Sequence, residues 1–569
     1  MTQYTVNLDI YPDKAQYKPN GPGHLIVELT ASAAAPLTVR TEIQQLDETL
    51  ELIRSEISCE ADVPTTLRIP LITRGSEWEC YGVTVEVYRE GSLVARAATA
   101  YDVADHWRRA PRYGFLSDFR SGEEGDLRDA DSLNRFHLNV VQFYDWMYRH
   151  DSLIPPADEF IDPMGRTLSY KVVREKVDAL HERGIAAMAY GAVYAALKDY
   201  LLEHPELGLY KRNGEPFHLI DIFYIMDISP DSPWTAHIVE EFRKVVASGF
   251  DGIHMDQYGF PKKAVRKGNG EEEIVDLAAC YPALIDRTKQ AVREVNPDAG
   301  LIFNNVSNYP VRATAGSDQE AVYIEVWPPV IHLRELKGLI DEAKAYGRGK
   351  QVILSAYLPA FYPKANNDAV ESENGAVLTM ATIFASGGYH LLLGEDEKLL
   401  TMAYYPDYAE MRPEFVRETR RYYDFIVRYG KLLYDAGLED LSYTYTGGVN
   451  TEIRFEGDAE FAPNGDVGKV WTLVKRLPGY LVIHLINLVG LEDDHWEHGK
   501  ANRPTAQREF TGTVLMEREI AGLYWASPDT EGGAPQELPF EKVPHDQGEA
   551  AQFTVPCLDI WTMLYVKWA

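Results

Sequence analysis

The sequence predicts a multidomain α/β chain: a central (β/α)8 TIM barrel flanked by an N-terminal immunoglobulin-like β-sandwich and a C-terminal antiparallel β-sandwich. Three observations predict it. Residues 1–108 carry short alternating strands, residues 109–432 carry eight apolar runs separated by helix-period stretches, and residues 433–569 return to strand patterning.

In the first segment, Leu25–Thr30 and Val83–Tyr88 alternate apolar and polar residues, and the second run ends in the turn signal Glu90-Gly91-Ser92. The pattern breaks at Asp105–Pro111, which sets the first boundary. The barrel strands are then predicted at Tyr113–Leu116, Leu138–Tyr144, Ile185–Ala189, Gly252–Met255, Gly300–Phe303, Val322–Ile324, Val352–Ser355 and Tyr389–Leu393. Eight such runs over about 280 residues match the size and alternation of a (β/α)8 barrel. Helices at Val172–Glu182 and Ala236–Ala247 stop at Gly184 and Gly249, and a strand follows each within a few residues. After a helix at Pro413–Arg428, strands are predicted at Val470–Val474, Gly479–Asn487, Gly512–Met516 and Asp559–Val566. The charged stretch from Lys262 to Glu273 reads as a solvated loop.

Composition narrows the function classes. The 569 residues are 45% hydrophobic and 25% charged, with 56 Lys+Arg against 87 Asp+Glu, a formal net charge of -31. Such a field opposes nucleic acid and anionic membranes and favours a neutral or cationic ligand, polysaccharide included. Aromatic content of 11%, with 35 Tyr and 10 Trp, suits stacking on sugar faces and equally a large β-rich core. Cys59, Cys80, Cys280 and Cys557 show neither a disulfide framework nor metal-ligand spacing, with a Cys59–Cys80 pair inside the first domain as the one alternative. No metal or cofactor is expected. The N-terminus lacks the basic-then-apolar pattern of a secretory leader, and no apolar run is long enough to span a bilayer. As written the chain reads as cytoplasmic; a secreted enzyme whose leader has been removed would read the same.

Two acids stand at strand ends. Asp256 closes Gly252–Met255 and Glu325 closes Val322–Ile324, so in a parallel barrel both project into the cleft at the carboxyl face. A single acid there is ordinarily a structural cap; a pair ending strands four and six points to glycosidic chemistry. Cleaving a glycosidic bond needs one carboxyl group to protonate the leaving oxygen and another to attack or to activate water. Apolar Val326, Trp327 and Pro328 are expected to raise the pKa of Glu325, while His254 and Gln257 keep Asp256 ionised. Other polar and aromatic residues gather at the same rim: Asp118, Tyr144, Asp145, Trp146, Tyr190, Asn304, Asn305, Tyr357, Glu395 and Asp396. A hydroxyl-rich ligand needs such planar partners and an aromatic platform. His150, His390 and His484 read as structural histidines. No Walker loop, dinucleotide turn or nucleophile elbow is present.

The segments Phe143–His150, Gly249–Asp256 and Tyr323–Trp327 resemble the dextranase family of glycoside hydrolases, family 66, which contains endo-dextranases and cycloisomaltooligosaccharide glucanotransferases. The resemblance covers the whole chain and implies the same three domains in the same order. It implies that Asp256 is the nucleophile and Glu325 the general acid/base of a retaining double displacement on α-1,6-linked glucan, dextran or isomaltooligosaccharides. Water would then give hydrolysis, and the substrate's own 6-hydroxyl would close a ring. By the same likeness Tyr144, Asp145, Tyr190, Asn304, Asn305 and Asp396 are sugar-binding positions. Cyclising members typically carry an inserted carbohydrate-binding module of over a hundred residues, for which this chain has no room, so hydrolysis is the expected outcome. A different α-glycosidase on the same fold and a non-catalytic glucan-binding protein are the competing readings.

Overall fold

The computed structural model describes residues 4–75, 77–268 and 271–569. The eight apolar runs form one parallel sheet: β1 (Tyr113–Leu116), β2 (Val140–Phe143), β3 (Ala186–Ala192), β4 (Gly252–Asp256), β5 (Gly300–Asn304), β6 (Ala321–Glu325), β7 (Gln351–Ser355) and β8 (Tyr389–His390). Each pairs with the next in chain order. The Phe115 N–H donates to the Leu393 carbonyl at 3.1 Å and closes the ring between β1 and the chain just after β8. Buried Glu395 pins that seam, its carboxylate accepting from Ser117 N and Oγ, each at 2.9 Å, and from Asp118 N at 3.2 Å.

The strands read as unbroken apolar runs because both faces are covered, by barrel filling inside and helices outside. Every residue of β1, β2, β5 and β7 is buried, whereas β4 and β6 each lose full burial only at their last residue. Those last residues are Asp256 and Glu325.

The outer helices are α1 (Arg128–Arg135), α2 (Tyr170–Glu182), α3 (Pro233–Ala247), α4 (Leu277–Arg293), α5 (Val311–Thr314), α6 (Leu333–Gly347), α7 (Ala369–Ala385) and α8 (Pro413–Arg428). Ser169 caps α2 by accepting from Val172 N at 3.3 Å, and Gly184 at φ 67° lets the chain turn back into β3. Helix α7 is buried along nearly its whole length because the C-terminal domain covers its outer side. Gly375 makes that approach possible: a Cβ there would meet the His498 carbonyl oxygen at 2.3 Å.

The N-terminal domain is a sandwich of a three-stranded sheet (Val6–Pro12, His24–Ala31, Thr65–Pro70) on a four-stranded one (Ala35–Gln45, Glu48–Cys59, Trp78–Arg89, Ser92–Ala104). The tight turn at Glu90-Gly91 has φ of 51° and 81°, as a two-residue hairpin loop requires. Asp102 ties this domain to the barrel. Its buried carboxylate pairs with Arg112 at 2.8 Å and accepts from Gln16 Nε2 at 2.8 Å and Trp78 Nε1 at 3.1 Å. Breaking such a pair costs about 3–5 kcal/mol because the orphaned charge stays buried.

The C-terminal domain packs a sheet built on Val470–Leu477, Tyr480–Asn487, Trp561–Trp568 and Ile520–Ala526 against one built on Ile453–Glu456, Gln507–Leu515, Gly548–Leu558 and Phe540–His545. All four cysteines are free, so the alternative of a Cys59–Cys80 pair is not realised. One segment departs from expectation. Instead of a loop, Lys263–Gly268 and Glu271–Asp276 pair as antiparallel strands, with Arg266 opposite Glu273 at 2.6 Å. Opposite charges facing across a ladder stabilise pairing, and the short apolar stretches Ala264-Val265 and Ile274-Val275 were masked by the surrounding charge.

Candidate active site

A cavity of about 500 Å³ opens at the carboxyl end of the barrel strands. Asp256 and Glu325 both line it, each delivered by the end of its strand. Asn304, at the end of β5 between them, joins the two acids. Its Nδ2 donates to Asp256 Oδ1 at 2.7 Å and to Glu325 Oε2 at 3.0 Å. The two N–H bonds of an amide diverge by about 120°, so the acceptor oxygens stand about 5 Å apart.

Each acid has a tyrosine of its own. Tyr190 Oη donates to Asp256 Oδ2 at 2.6 Å, and Tyr357 Oη donates to Glu325 Oε1 at 2.8 Å. These hydroxyls and the bridging amide favour the carboxylate forms, but burial acts against them and dominates. Burial, then the charge of Glu325, pushes Asp256 up to about 7. Glu325 is also raised, by burial, against hydrogen bonds from Asn304 and Tyr357. Two buried carboxylates at this spacing titrate as a pair, the second ionising against the charge of the first. Asp256 thus has the polar company expected of it, but from other residues than predicted, and that company does not hold the acid in the ordinary carboxylate range. His254 donates no hydrogen bond to it, and Gln257 favours the carboxylate only through its backbone, its side-chain amide being bonded to the Asn304 and Tyr309 carbonyls at 3.1 Å. Trp327, 41% exposed at the cavity mouth, does not raise Glu325 as expected: its side chain is a hydrogen-bonding neighbour that favours the carboxylate, and burial is what raises the acid.

Of the other predicted positions, Tyr144, Asp145, Tyr190, His254, Asn304, Trp327 and Tyr357 line the cavity. His254 lies beneath the acids, hydrogen-bonded to Tyr113 Oη at 3.0 Å, and burial lowers it to about 3, which keeps it neutral. Asp145 adopts φ 49°, uncommon for any residue with a Cβ, and burial pushes its carboxyl up to about 7 against Arg166 at 4.0 Å. An acid held this way at a cavity wall is a candidate ligand-binding group.

Five predicted residues do not reach the cavity; one of them, Glu395, is the buried acid that pins the barrel seam. Asp118 is engaged by Arg120 at 2.5 Å. Trp146 is fully buried against Phe250, its Nε1 donating to the Tyr190 carbonyl at 3.2 Å, so it supports Tyr190 from behind. Asn305 points the opposite way from Asn304, as alternation along a strand dictates, and bonds the Phe303 and Tyr323 carbonyls. Asp396 sits beyond the barrel seam with Lys398 at 3.8 Å.

The structure adds residues that the strand-end pattern missed. Tyr404 and Tyr405 enter from the chain beyond β8, and Tyr405 stacks on Tyr144 at 4.2 Å between ring centroids. The aromatic pair before Pro406 was the available signal. His150, read as structural, lines the cavity with its ring edge-on to Phe223 at 4.5 Å; His390 and His484 are core residues. Ile220 is 58% exposed at the tip of the hairpin Leu219–Phe223 and holds φ 47°, a strained state for a β-branched side chain.

Comparison with known proteins gives the family and the fold. The family model described as glycosyl hydrolase family 66 matches residues 12–565. A cycloisomaltooligosaccharide glucanotransferase of Niallia circulans is 26% identical over an alignment covering 98% of this chain and 71% of that protein. A dextranase of Streptococcus salivarius is 24% identical, covering 93% and 73% respectively. In the crystal structure of a cycloisomaltooligosaccharide glucanotransferase of Paenibacillus sp. complexed with cycloisomaltoheptaose, the fold is shared at a TM-score of 0.89 and 21% identity, over 99% of this chain and 100% of that one. With its barrel, its two sandwiches and its acid-bearing strand ends all inside the matched span, the chain belongs to glycosyl hydrolase family 66.

Proposed function

We propose that this chain hydrolyses internal α-1,6-glucosidic linkages of dextran or isomaltooligosaccharides with retention of configuration. Asp256 attacks the anomeric carbon and Glu325 first protonates the leaving oxygen, then deprotonates the incoming water. The observation that carries the reading is the bridge through Asn304. An oxygen separation of about 5 Å matches the 5–5.5 Å of retaining pairs and leaves no room for the water that inverting pairs place between 6.5 and 9.5 Å. As Asp256 becomes an ester, its charge is lost and the Asn304 amide remains to orient Glu325 for the second step. Tyr190 and Tyr144 with Tyr405 supply the aromatic wall, and Trp327 the platform at the mouth.

Intramolecular transfer is the second reading, favoured by the relatives named for cyclisation and by the full-length fold match. Hydrolysis is preferred because only residues 429–438 separate α8 from the short strand Glu439–Asp440 that opens the C-terminal domain, so no module intervenes there. Product analysis on linear dextran tests both. Linear oligosaccharides whose first-formed reducing ends are α-anomers by NMR are expected; rings, lighter by one water, would assign transfer, and β-anomers would remove the retaining mechanism.

The strained hairpin tip gives a further expectation. Ile220→Gly is expected to raise the melting midpoint by relieving about 1 kcal/mol of left-handed strain, and to raise KM on long glucan several-fold by removing an apolar contact. Unchanged KM with higher stability would show that the strain serves nothing at this cleft.

A further inference from the structure

Away from the catalytic cavity, the segment leading from Glu325 to α6 is stitched to the C-terminal domain. The Leu333 N–H donates to the Asp494 carbonyl at 2.9 Å and the Trp496 N–H to the Ile331 carbonyl at 3.0 Å, so His332 and His495 face each other across a short antiparallel bridge. Trp496 Nε1 adds a third tie, to the Val330 carbonyl at 3.0 Å. This pairing fixes two imidazoles and a carboxylate at one point. The rings of His332 and His495 lie 4.9 Å apart, edge to face, and His332 Nδ1 is 2.6 Å from Asp494 Oδ1. One ligand atom from each of His332, Asp494 and His495 lies within 4.8 Å of the other two.

We propose that His332, Asp494 and His495 form a binding site for a transition-metal dication, Zn²⁺ by donor set, that clamps the barrel to the C-terminal domain. Two neutral imidazole nitrogens and one carboxylate oxygen are the ligands of a three-residue zinc site whose fourth position takes water. They do not suit Ca²⁺ or Mg²⁺, which demand an oxygen shell. A tetrahedral zinc ion with bonds of about 2.0–2.1 Å spaces its ligand atoms about 3.4 Å apart. Closing the trio therefore asks only for small side-chain rotations on a backbone already held. A neighbouring group, Asp493, His495 and His498, shares His495 and is the poorer site. Asp493 Oδ1 already accepts from the Lys500 ammonium at 2.6 Å, a cation where the ion would sit, whereas the nearest cation to Asp494, Arg334, stands at 4.0 Å from the other carboxylate oxygen. Local spacing concealed the site because His332 and Asp494 are 162 residues apart.

The test uses the full chain without a polyhistidine tag, stripped with EDTA and titrated with ZnCl2. One equivalent is expected to bind by calorimetry and by elemental analysis after dialysis, raising the melting midpoint by several degrees. Co²⁺ in place of Zn²⁺ should give visible absorption of a low-symmetry four- or five-coordinate site. His332→Gln and His495→Gln should each weaken Zn²⁺ binding at least tenfold while their metal-free forms melt close to the stripped parent, and His498→Gln should bind as the parent does. No binding by the parent at micromolar Zn²⁺ overturns the proposal. Binding that survives His332→Gln but is lost in His498→Gln overturns it equally, by assigning the ion to the other group. Because the readout is metal content and stability, it stands whatever glucan the enzyme cleaves.

Discussion

Replacing Asp256 by Asn is expected to lower kcat on dextran by on the order of 10⁴-fold or more, and at the same time to stabilise the fold at neutral pH. The first effect follows because an amide cannot form the glucosyl ester. The second follows from burial, which lifts the Asp256 carboxyl to about 7. Between the ordinary carboxylate range near 4 and that value, the folded chain binds more protons at this position than the unfolded chain does. Stability therefore falls as pH rises through that window, and the penalty is complete above it. Asn carries no charge to desolvate, so the gain appears above about pH 4, is full above about pH 7, and amounts to about 1–3 kcal/mol. The side chain fits: its oxygen can accept from Asn304 while its amide donates to the Tyr190 hydroxyl, which reverses its role. Denaturant or thermal unfolding at pH 5 and pH 8, beside turnover, checks both halves. A structural cap would behave in the opposite way, losing stability on substitution and leaving turnover within about tenfold. Loss of activity together with gained stability is the signature of a group strained for function.

The sequence made the barrel legible because each strand is a short, doubly buried apolar run with a helix-period stretch behind it. Its strand ends also brought Asp256 and Glu325 forward as a pair, since two carboxylates closing apolar runs of one parallel barrel must face the same cleft, where the structure sets both. What it did not give was direction. Asn304 and Asn305 are adjacent and chemically identical, yet only Asn304 faces the cavity, because successive side chains on a strand alternate and the register at the strand end is set by tertiary pairing. Trp146 fell on the wrong side for the same reason, one step past Asp145, whose positive φ re-aims the chain. Tyr405 and Ile220 were missed because they arrive on long excursions after β8 and β3, where no periodicity reports position. The electrostatics were misjudged by reading sequence neighbours as spatial ones. The tyrosine and asparagine donors to Asp256 come from β3 and β5, those to Glu325 from β5 and the end of β7, all remote from the acids in the chain.

Glu325→Gln is the substitution that separates the two acids by role. Without its proton, departure of a sugar alkoxide slows, and kcat on dextran is expected to fall about 10²–10⁴-fold. A substrate whose leaving group needs no proton, such as an α-isomaltosyl fluoride, should form the Asp256 ester at a rate much closer to the parent's. Because burial raises Glu325, the parent's activity should decline on the alkaline side as the last proton leaves the pair. That limb should vanish in Glu325→Gln, while the acidic limb, set by ionisation of Asp256, remains. Azide makes the assignment stereochemical. With Asp256 intact, azide attacks the glucosyl ester in place of activated water, and two inversions give an α-glycosyl azide. In Asp256→Ala it attacks the fluoride directly from the vacated side, and a single inversion gives the β-azide. Exchanged products would mean that Glu325 is the nucleophile and Asp256 the acid. Since Asn304 bridges both carboxylates almost symmetrically, at 2.7 and 3.0 Å, geometry alone gives the pair its spacing, and the configuration of the azide product gives each acid its step.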